Sequence, residues 1–486
     1  MTAWAGAGRT ALRRLLASAL TAVALPLAAL AQAPESPTPA PEMVTIPKGE
    51  ARILMMKSAA DGRYDLARAL ALGLIKAAPD DGQAHYILAR ANRALGRPVE
   101  ARQAAARSYR LASSPLQRFQ AAQIAAGASV DARHYTLGQL WLRRTYENAP
   151  NEAARAAIAR DYRMLRQVNP LSFSFSFSVS PSTNFNNGSS SALNDVDGVD
   201  GYFGSLSSDA QALPGNVVTT QARLSYRLSD QRAEGATTVS LLGYAQRVLL
   251  TEETRDKAPT AEAGDYDMTQ LELSLRRRQP LTETIDVSAG LALGTVTYGG
   301  EPYYDYRRIE LGYGALLTPR SHVSAYATAE QRDFPLSSRP EGREIRLGAG
   351  WRTRVGDAGT LGLSLGYEAE DRTGPDFDNE SLSMSLSWSP AQAWGPARMT
   401  FSLDGRVTDY PDYRVVGLTG LGLVAVKVPG GREDRSLSLT ARARFDDLGY
   451  AGFVPVVTVT GKRQTSNVTR FETEGVSVRL GIESAF

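Results

Sequence analysis

From residue 171 to its last residue the chain changes side-chain character with a period of two. Residues 171–179 read Leu-Ser-Phe-Ser-Phe-Ser-Phe-Ser-Val without a fault. Thr269, Leu271, Leu273 and Leu275 alternate with Gln270, Glu272, Ser274 and Arg276, while Leu382, Met384, Leu386 and Trp388 alternate with serine alone. Successive side chains of a strand point to opposite faces, so each run carries one apolar face and one small or polar face. A soluble antiparallel sheet with one wet face would satisfy the same pattern. These runs, however, are roughly ten to sixteen residues long, against the ~5–6 usual in soluble sheets. Their polar positions are Gly and Ser with Arg and Glu mixed in, as a hydrated lumen requires. Short connections (230–235, 317–321) interleave with longer polar ones (181–216, 251–264), the asymmetry of an outer-membrane barrel. Tyr298, Tyr303, Tyr304, Tyr306, Tyr410 and Tyr413 fall near run ends, where an interfacial girdle would place them.

Fifteen runs can be counted, beginning near 171, 217, 236, 265, 282, 303, 320, 341, 358, 378, 397, 413, 434, 453 and 472. Single-chain bacterial barrels have an even number of strands with both ends on one side. The run at 415–428 alternates least cleanly and ends in Pro429-Gly430-Gly431, so it reads as part of a long outer loop. About fourteen strands remain. Parity then turns Arg442 and Arg444 toward the lumen, with Leu437, Leu439 and Phe445 facing lipid, and alternation within the other runs adds Arg276, Arg346, Arg352, Arg354, Arg479, Glu272, Glu344 and Glu483 to the lumen side. A charge on the lipid face would cost roughly 2–4 kcal/mol at the midplane. In the closing run, 475–486, Val476, Val478, Leu480, Ile482 and the terminal Phe486 share the apolar face. That strand is the expected signal for the barrel-assembly machinery, and outer-membrane lipid is the expected surround.

Hydrophobic residues make up 43% of the chain, and no apolar run beyond the first 31 residues approaches the ~20 needed for a spanning helix. A net charge of +3 gives no support for nucleic acid as a partner. The absence of cysteine excludes disulfides, thiol chemistry and a lipidated N-terminal cysteine. Residues 1–31 read as a signal peptide: Arg9, Arg13 and Arg14 precede an apolar stretch, and Ala29-Leu30-Ala31 supplies a cleavage site before Gln32. Residues 32–48, with Pro34, Pro37, Pro39, Pro41 and Pro47, read as a linker.

Residues 49–168 have the Ala, Leu and Arg texture of amphipathic helices. Leu54 and Leu88, Gly62 and Gly96, and Ala67 and Ala101 share one offset of 34 residues, the period of tetratricopeptide (TPR) repeats. The leucines would pack the first helix of each pair, the glycines make the turns, and the alanines admit close helix approach. Met55 and His85 occupy positions where bulkier apolar residues are expected. Stretches 116–126 and 133–146 read as a degenerate third pair, and 151–167 as a capping helix with Asn151 as N-cap. The expected fold class is therefore α + β multidomain: an all-α TPR-like module facing the periplasm, then an antiparallel transmembrane β-barrel over 169–486. His85 and His134 are isolated, so neither a metal nor a cofactor is expected.

The junction reads Asn169-Pro170-Leu171-Ser172-Phe173, followed by Ser180-Pro181-Ser182-Thr183-Asn184-Phe185-Asn186. Later come Arg432-Glu433-Asp434, Tyr450-Ala451-Gly452-Phe453-Val454-Pro455, and Ser466-Asn467 before the strand that ends in Phe486. On these motifs the chain resembles the surface lipoprotein assembly modulator (Slam) family, the type XI secretion translocons. The resemblance implies an outer-membrane translocon whose client is a surface lipoprotein or a secreted protein, captured by a periplasmic TPR module. A compact, degenerate repeat module departs from the family pattern. A polysaccharide exporter or small-solute porin is the competing expectation. Enzyme activity is not expected: a barrel lipase needs a Ser–His pair on the lipid-facing wall near the outer end, and His322 follows an inner turn.

Overall fold

The computed structural model describes residues 46–199, 203–229, 235–337, 341–372, 377–419, 422–449 and 453–484. The expected signal peptide, most of the linker, part of the 230–235 turn, residues 450–452 and Phe486 lie outside the described residues.

Seven helices come first: α1 (Lys48–Ala60), α2 (Tyr64–Ala77), α3 (Gly82–Ala94), α4 (Pro98–Leu111), α5 (Pro115–Asp131), α6 (Tyr135–Glu147) and α7 (Glu152–Val168). Their starts follow local chemistry. Asp81 accepts from the Gln83 and Ala84 amides, Asn151 accepts from the Ala154 amide at 2.9 Å, and Pro98 and Pro115 open α4 and α5. The α1–α2 and α3–α4 turns use Gly62 and Gly96 with φ of 75° and 70°, the left-handed region that glycine enters without cost. The α5–α6 turn places Arg133 there instead, with φ of 57°. It falls off the period of 34 because α5 has 17 residues where α3 has 13. Helix approach rests on alanine: Ala67 and Ala101 are fully buried, and Leu88 belongs to the same core. Leu54 is only half-buried, and Met55 beside it takes the fully buried place, because the core side of α1 runs through 51, 55 and 59.

The strands are β1 (Leu171–Ser182), β2 (Gly215–Arg227), β3 (Ala236–Leu250), β4 (Met268–Pro280), β5 (Ile285–Tyr298), β6 (Glu301–Thr318), β7 (Ser321–Asp333), β8 (Glu341–Val355), β9 (Gly359–Arg372), β10 (Asn379–Ser389), β11 (Arg398–Tyr410), β12 (Arg414–Thr419), β13 (Gly422–Lys427), β14 (Arg432–Arg444), β15 (Phe453–Ser466) and β16 (Thr473–Ser484). Fourteen of them close an antiparallel barrel in which β16 pairs with β1. β12 and β13 pair only with each other. At six residues each they are too short to cross a bilayer, which takes ~9–11 residues. The 415–428 stretch is thus a hairpin in the loop between β11 and β14.

Alternation sorts the wall as lipid demands. Leu437 and Leu439 are 57% and 61% exposed on the outer surface, and Leu271, Leu273 and Leu275 follow the same rule on β4. The end of the barrel that carries the helices is called the near mouth below, and the other end the far mouth. Near-mouth aromatics form a belt: Trp388 stacks on Phe401 at 5.7 Å, Trp394 lies 5.3 Å from Phe401, and the Trp388 indole donates to the Ala358 carbonyl at 2.7 Å. The tyrosines do not form the expected girdle. Tyr298 and Tyr303 are half-exposed at the far end, but Tyr306 and Tyr410 point into the lumen, where their hydroxyls and rings meet charged partners.

Candidate functional site

The barrel interior is built from inward positions that alternate between small residues and charges. Some glycines are required by close approach. The Tyr306 ring lies across Gly294, where a Cβ would fall inside it, and Tyr326 covers Gly348 in the same way. The Tyr306 hydroxyl donates to Glu272 at 2.7 Å and accepts from Gln270 at 2.7 Å.

A ladder of ion pairs runs across the far half of one wall, from β4 to β11. Arg308 meets Glu272 (2.7 Å), Glu310 (2.8 Å) and Glu330 (2.9 Å). Arg332 meets Glu330 (2.6 Å), Glu370 (3.1 Å) and Glu344. Arg346 pairs with Glu344 and with Glu368 at 3.3 Å, Arg406 reaches Glu368 at 3.6 Å, and Arg276 pairs with Glu310. Arg308, Arg332 and Arg346 each bridge carboxylates on two or three strands, and Arg276 and Arg406 each reach one carboxylate on another strand, so the charges of this wall cancel locally and tie the strands together.

The sequence-predicted lumen residues therefore enter different surroundings. Arg346 belongs to the ladder. Arg442 pairs with Glu483, and Arg444 lies 3.3 Å from Asp446 at the near mouth. Arg352 and Arg479 face the lumen with no ion-pair partner among the described residues. His322 lies near the near-mouth end of β7 and faces the lumen, level with Arg352 on β8, so no lipid-facing Ser–His pair involves it. On β16, Val476, Val478, Leu480 and Ile482 are exposed on the outer face beside Leu437 and Leu439.

Opposite the ladder the lumen is lined by hydroxyls and amides. A cavity of about 530 Å³ runs along the strands flanking the β1–β16 seam, lined by Ser176, Ser178, Ser180, Thr219, Gln221, Tyr244, Thr458 and Arg479. Its far end meets Asn184 and Phe185, which begin the first long loop.

The far-mouth loops pack on one another. Val196 and Phe203 of the first loop, Val415 and Val428 of the β12–β13 loop, and Val468 of the last loop form one buried cluster. Beneath it Arg432, 7% exposed, lies between the rings of Tyr410 and Phe471, each 3.6 Å from its guanidinium carbon, and pairs with Asp434 at 2.9 Å. Asn467 fastens the last loop to the β14 entrance: its amide donates to the Gly431 carbonyl and its side-chain oxygen accepts from the Glu433 amide. The Arg432-Glu433-Asp434 and Ser466-Asn467 motifs thus join three loops, a role that only the tertiary contacts reveal. At the hairpin base, the Lys427 ammonium beside Asp412 holds that carboxyl below the usual range.

The near mouth is where the helices meet the barrel. Asn169 is buried at the junction, its amide donating to Thr136 (3.1 Å) and Gln139 (2.9 Å) of α6 and its oxygen accepting from the Leu171 amide (3.1 Å). Arg227, at the near end of β2, donates to the Gln167 and Val168 carbonyls that close α7 (2.9 and 3.1 Å). Arg143 of α6 lies over the Phe453 ring at 5.2 Å. A cavity of about 360 Å³ remains between α6, α7 and β1, lined by Gln139, Arg143, Tyr162, Ser172, Ser174 and Glu483. The Asn169-Pro170-Leu171 motif is therefore a clasp between the two folds.

No protein-family model matches the chain, and no curated protein matches it. Among solved structures it is similar to the TPR2B domain of yeast Sti1, solved in a pHsp70 complex (19% identity, 25% of this chain and 96% of that chain, TM-score 0.23). It is also similar to a loop-deletion mutant of OmpT, an outer membrane protein of Vibrio cholerae (9% identity, 65% of this chain and 99% of that chain, TM-score 0.34). Pseudomonas putida OprB is a third (8% identity, 67% of this chain and 96% of that chain, TM-score 0.36).

Proposed function

We propose that the chain is an outer-membrane translocon. Its TPR-like module captures a client protein, a surface lipoprotein or a secreted protein, in the periplasm and delivers it to the cell surface through or alongside the barrel. The observation that carries this reading is the clasp at the near mouth. Asn169, Arg227 and Arg143 hold a protein-binding type of helical module against the barrel, with a hydroxyl-lined cavity left between α6, α7 and β1. A passive porin has no use for such a module. The motif resemblance to the Slam family supports the same reading, with the near mouth in the periplasm.

A second reading, export of a polysaccharide, draws on the cavity of hydroxyls and amides beside the seam, a lining that also suits sugar hydroxyls. The two separate at the clasp. In a strain that displays a client, Asn169→Ala combined with Arg227→Ala is expected to lower the displayed client several-fold at unchanged barrel level. Each substitution removes two or more hydrogen bonds, each worth about 1 kcal/mol, between the helices and the barrel entrance. Display equal to wild type, scored by antibody on intact cells, would remove the clasp from the mechanism.

A further inference from the structure

The near half of the lumen carries positive charge that the fold leaves unmet. Arg278 is held by Asp286 through two bonds of 2.8 Å, Arg442 by Glu483, Arg398 and Arg444 by Asp446, and Arg227 by the α7 carbonyls. Arg223, Arg352, Arg354 and Arg479 have no side-chain partner among the described residues. Against these four, Asp404 is the single unpaired carboxylate on a lumen-facing strand position among the described residues.

Their placement is not scattered. In the closed strand order β8 stands seven steps from β1 in either direction, so Arg352 and Arg354 on β8 lie across the lumen from Arg223 on β2 and Arg479 on β16, the two neighbours of β1. Both sides add hydroxyl donors. Arg352 borders a recess of about 290 Å³ with Ser324, Ser364, Ser385 and Ser387, kept open by Gly350 and Gly362, where a Cβ would meet the Ser324 and Ser387 hydroxyls. Arg479 borders the seam cavity with Ser178 and Thr458. A guanidinium flanked by hydroxyls suits a carboxylate, and a confined lumen of one sign concentrates the opposite charge.

We infer that these four arginines form a two-sided subsite for the carboxylates of an acidic, extended polypeptide segment entering from the near mouth. The choice of polypeptide over another acidic polymer rests on the translocon reading. The subsite gives a use to the unpaired arginines of the near half, where the ladder arginines of the far half are each met by a carboxylate. A client segment would be drawn in by charge and released into a zone where every arginine of the ladder already has a carboxylate.

The test uses the full chain in detergent with dye-labelled octaglutamate and octalysine peptides, read by fluorescence anisotropy. Octaglutamate is expected to bind, to weaken as salt rises, and to lose affinity by about tenfold or more in the Arg223→Gln, Arg352→Gln, Arg354→Gln, Arg479→Gln variant. Arg398→Gln with Arg444→Gln, which removes partnered charges, is expected to change it far less. Should the fourfold variant not fold, Arg352→Glu with Arg354→Glu is expected to shift preference toward octalysine. Equal binding of both peptides, or equal loss in the two glutamine variants, would overturn the subsite. Tighter binding of oligogalacturonate than of octaglutamate would overturn the peptide assignment. Because no client display is measured, failure here leaves the translocon reading standing, and failure of display leaves this result standing.

Discussion

Arg332→Ala is expected to destabilise the barrel by about 3–5 kcal/mol, the range for removing one member of a buried ion-pair network. The Arg332 side chain is 12% exposed and is met by Glu330, Glu344 and Glu370, of which Glu330 and Glu344 are 4% and 2% exposed. Truncation leaves three carboxylates of β7, β8 and β9 facing one another around a void. Arg308 and Arg346 still serve Glu330 and Glu344, so the loss stays below the cost of an isolated buried charge. Arg332→Lys keeps the charge but not the fork that reaches three carboxylates, and recovers only part of the loss. The temperature at which the folded form is lost on unboiled gels reads the effect. A midpoint equal to wild type would mean that lumen water screens the ladder.

Arg432→Ala is expected to loosen the far-mouth loops without unfolding the barrel. The guanidinium is the shared contact of Tyr410, Phe471 and Asp434, which belong to β11, the last loop and β14. Its removal forfeits two close cation–π contacts, each worth about 2 kcal/mol when desolvated, and strands Asp434. Protease added to intact cells is then expected to cut within 411–431 at least several times faster, with the strands still protected. Adding Asp434→Ala should restore part of the protection, because the stranded carboxylate is removed with its partner. Unchanged cleavage would assign the packing of these loops to the valine cluster alone.

The wall of the barrel was open to reading because a period of two survives any error in strand pairing. Leu437 and Leu439 outward, with Arg442 and Arg444 inward, follow from counting along one strand. The same count, taken from Arg308, turns Tyr306 inward; its place near a strand end, taken alone, suggested a girdle. Which arginine has a partner depends on neighbours two and three strands away. Nothing along the chain separates Arg346, held by Glu344 and Glu368, from Arg352 six residues on, which has no ion-pair partner among the described residues. The helical period was legible where glycine marks the turn, at Gly62 and Gly96, and faded where Arg133 takes the left-handed place and α5 is longer. The Asn169 clasp lies in the Asn169-Pro170-Leu171 motif, yet its partners Thr136 and Gln139 sit 33 and 30 residues upstream, beyond any local pattern.

Deleting residues 49–168 and profiling surface proteins by membrane-impermeant biotinylation tests the central claim most directly. The translocon account predicts that a strain carrying the deletion loses the same surface protein as a strain lacking the whole chain, while the remaining barrel still inserts and keeps its folded gel mobility. A surface profile that matches the native strain, with the deleted form correctly inserted, would contradict it.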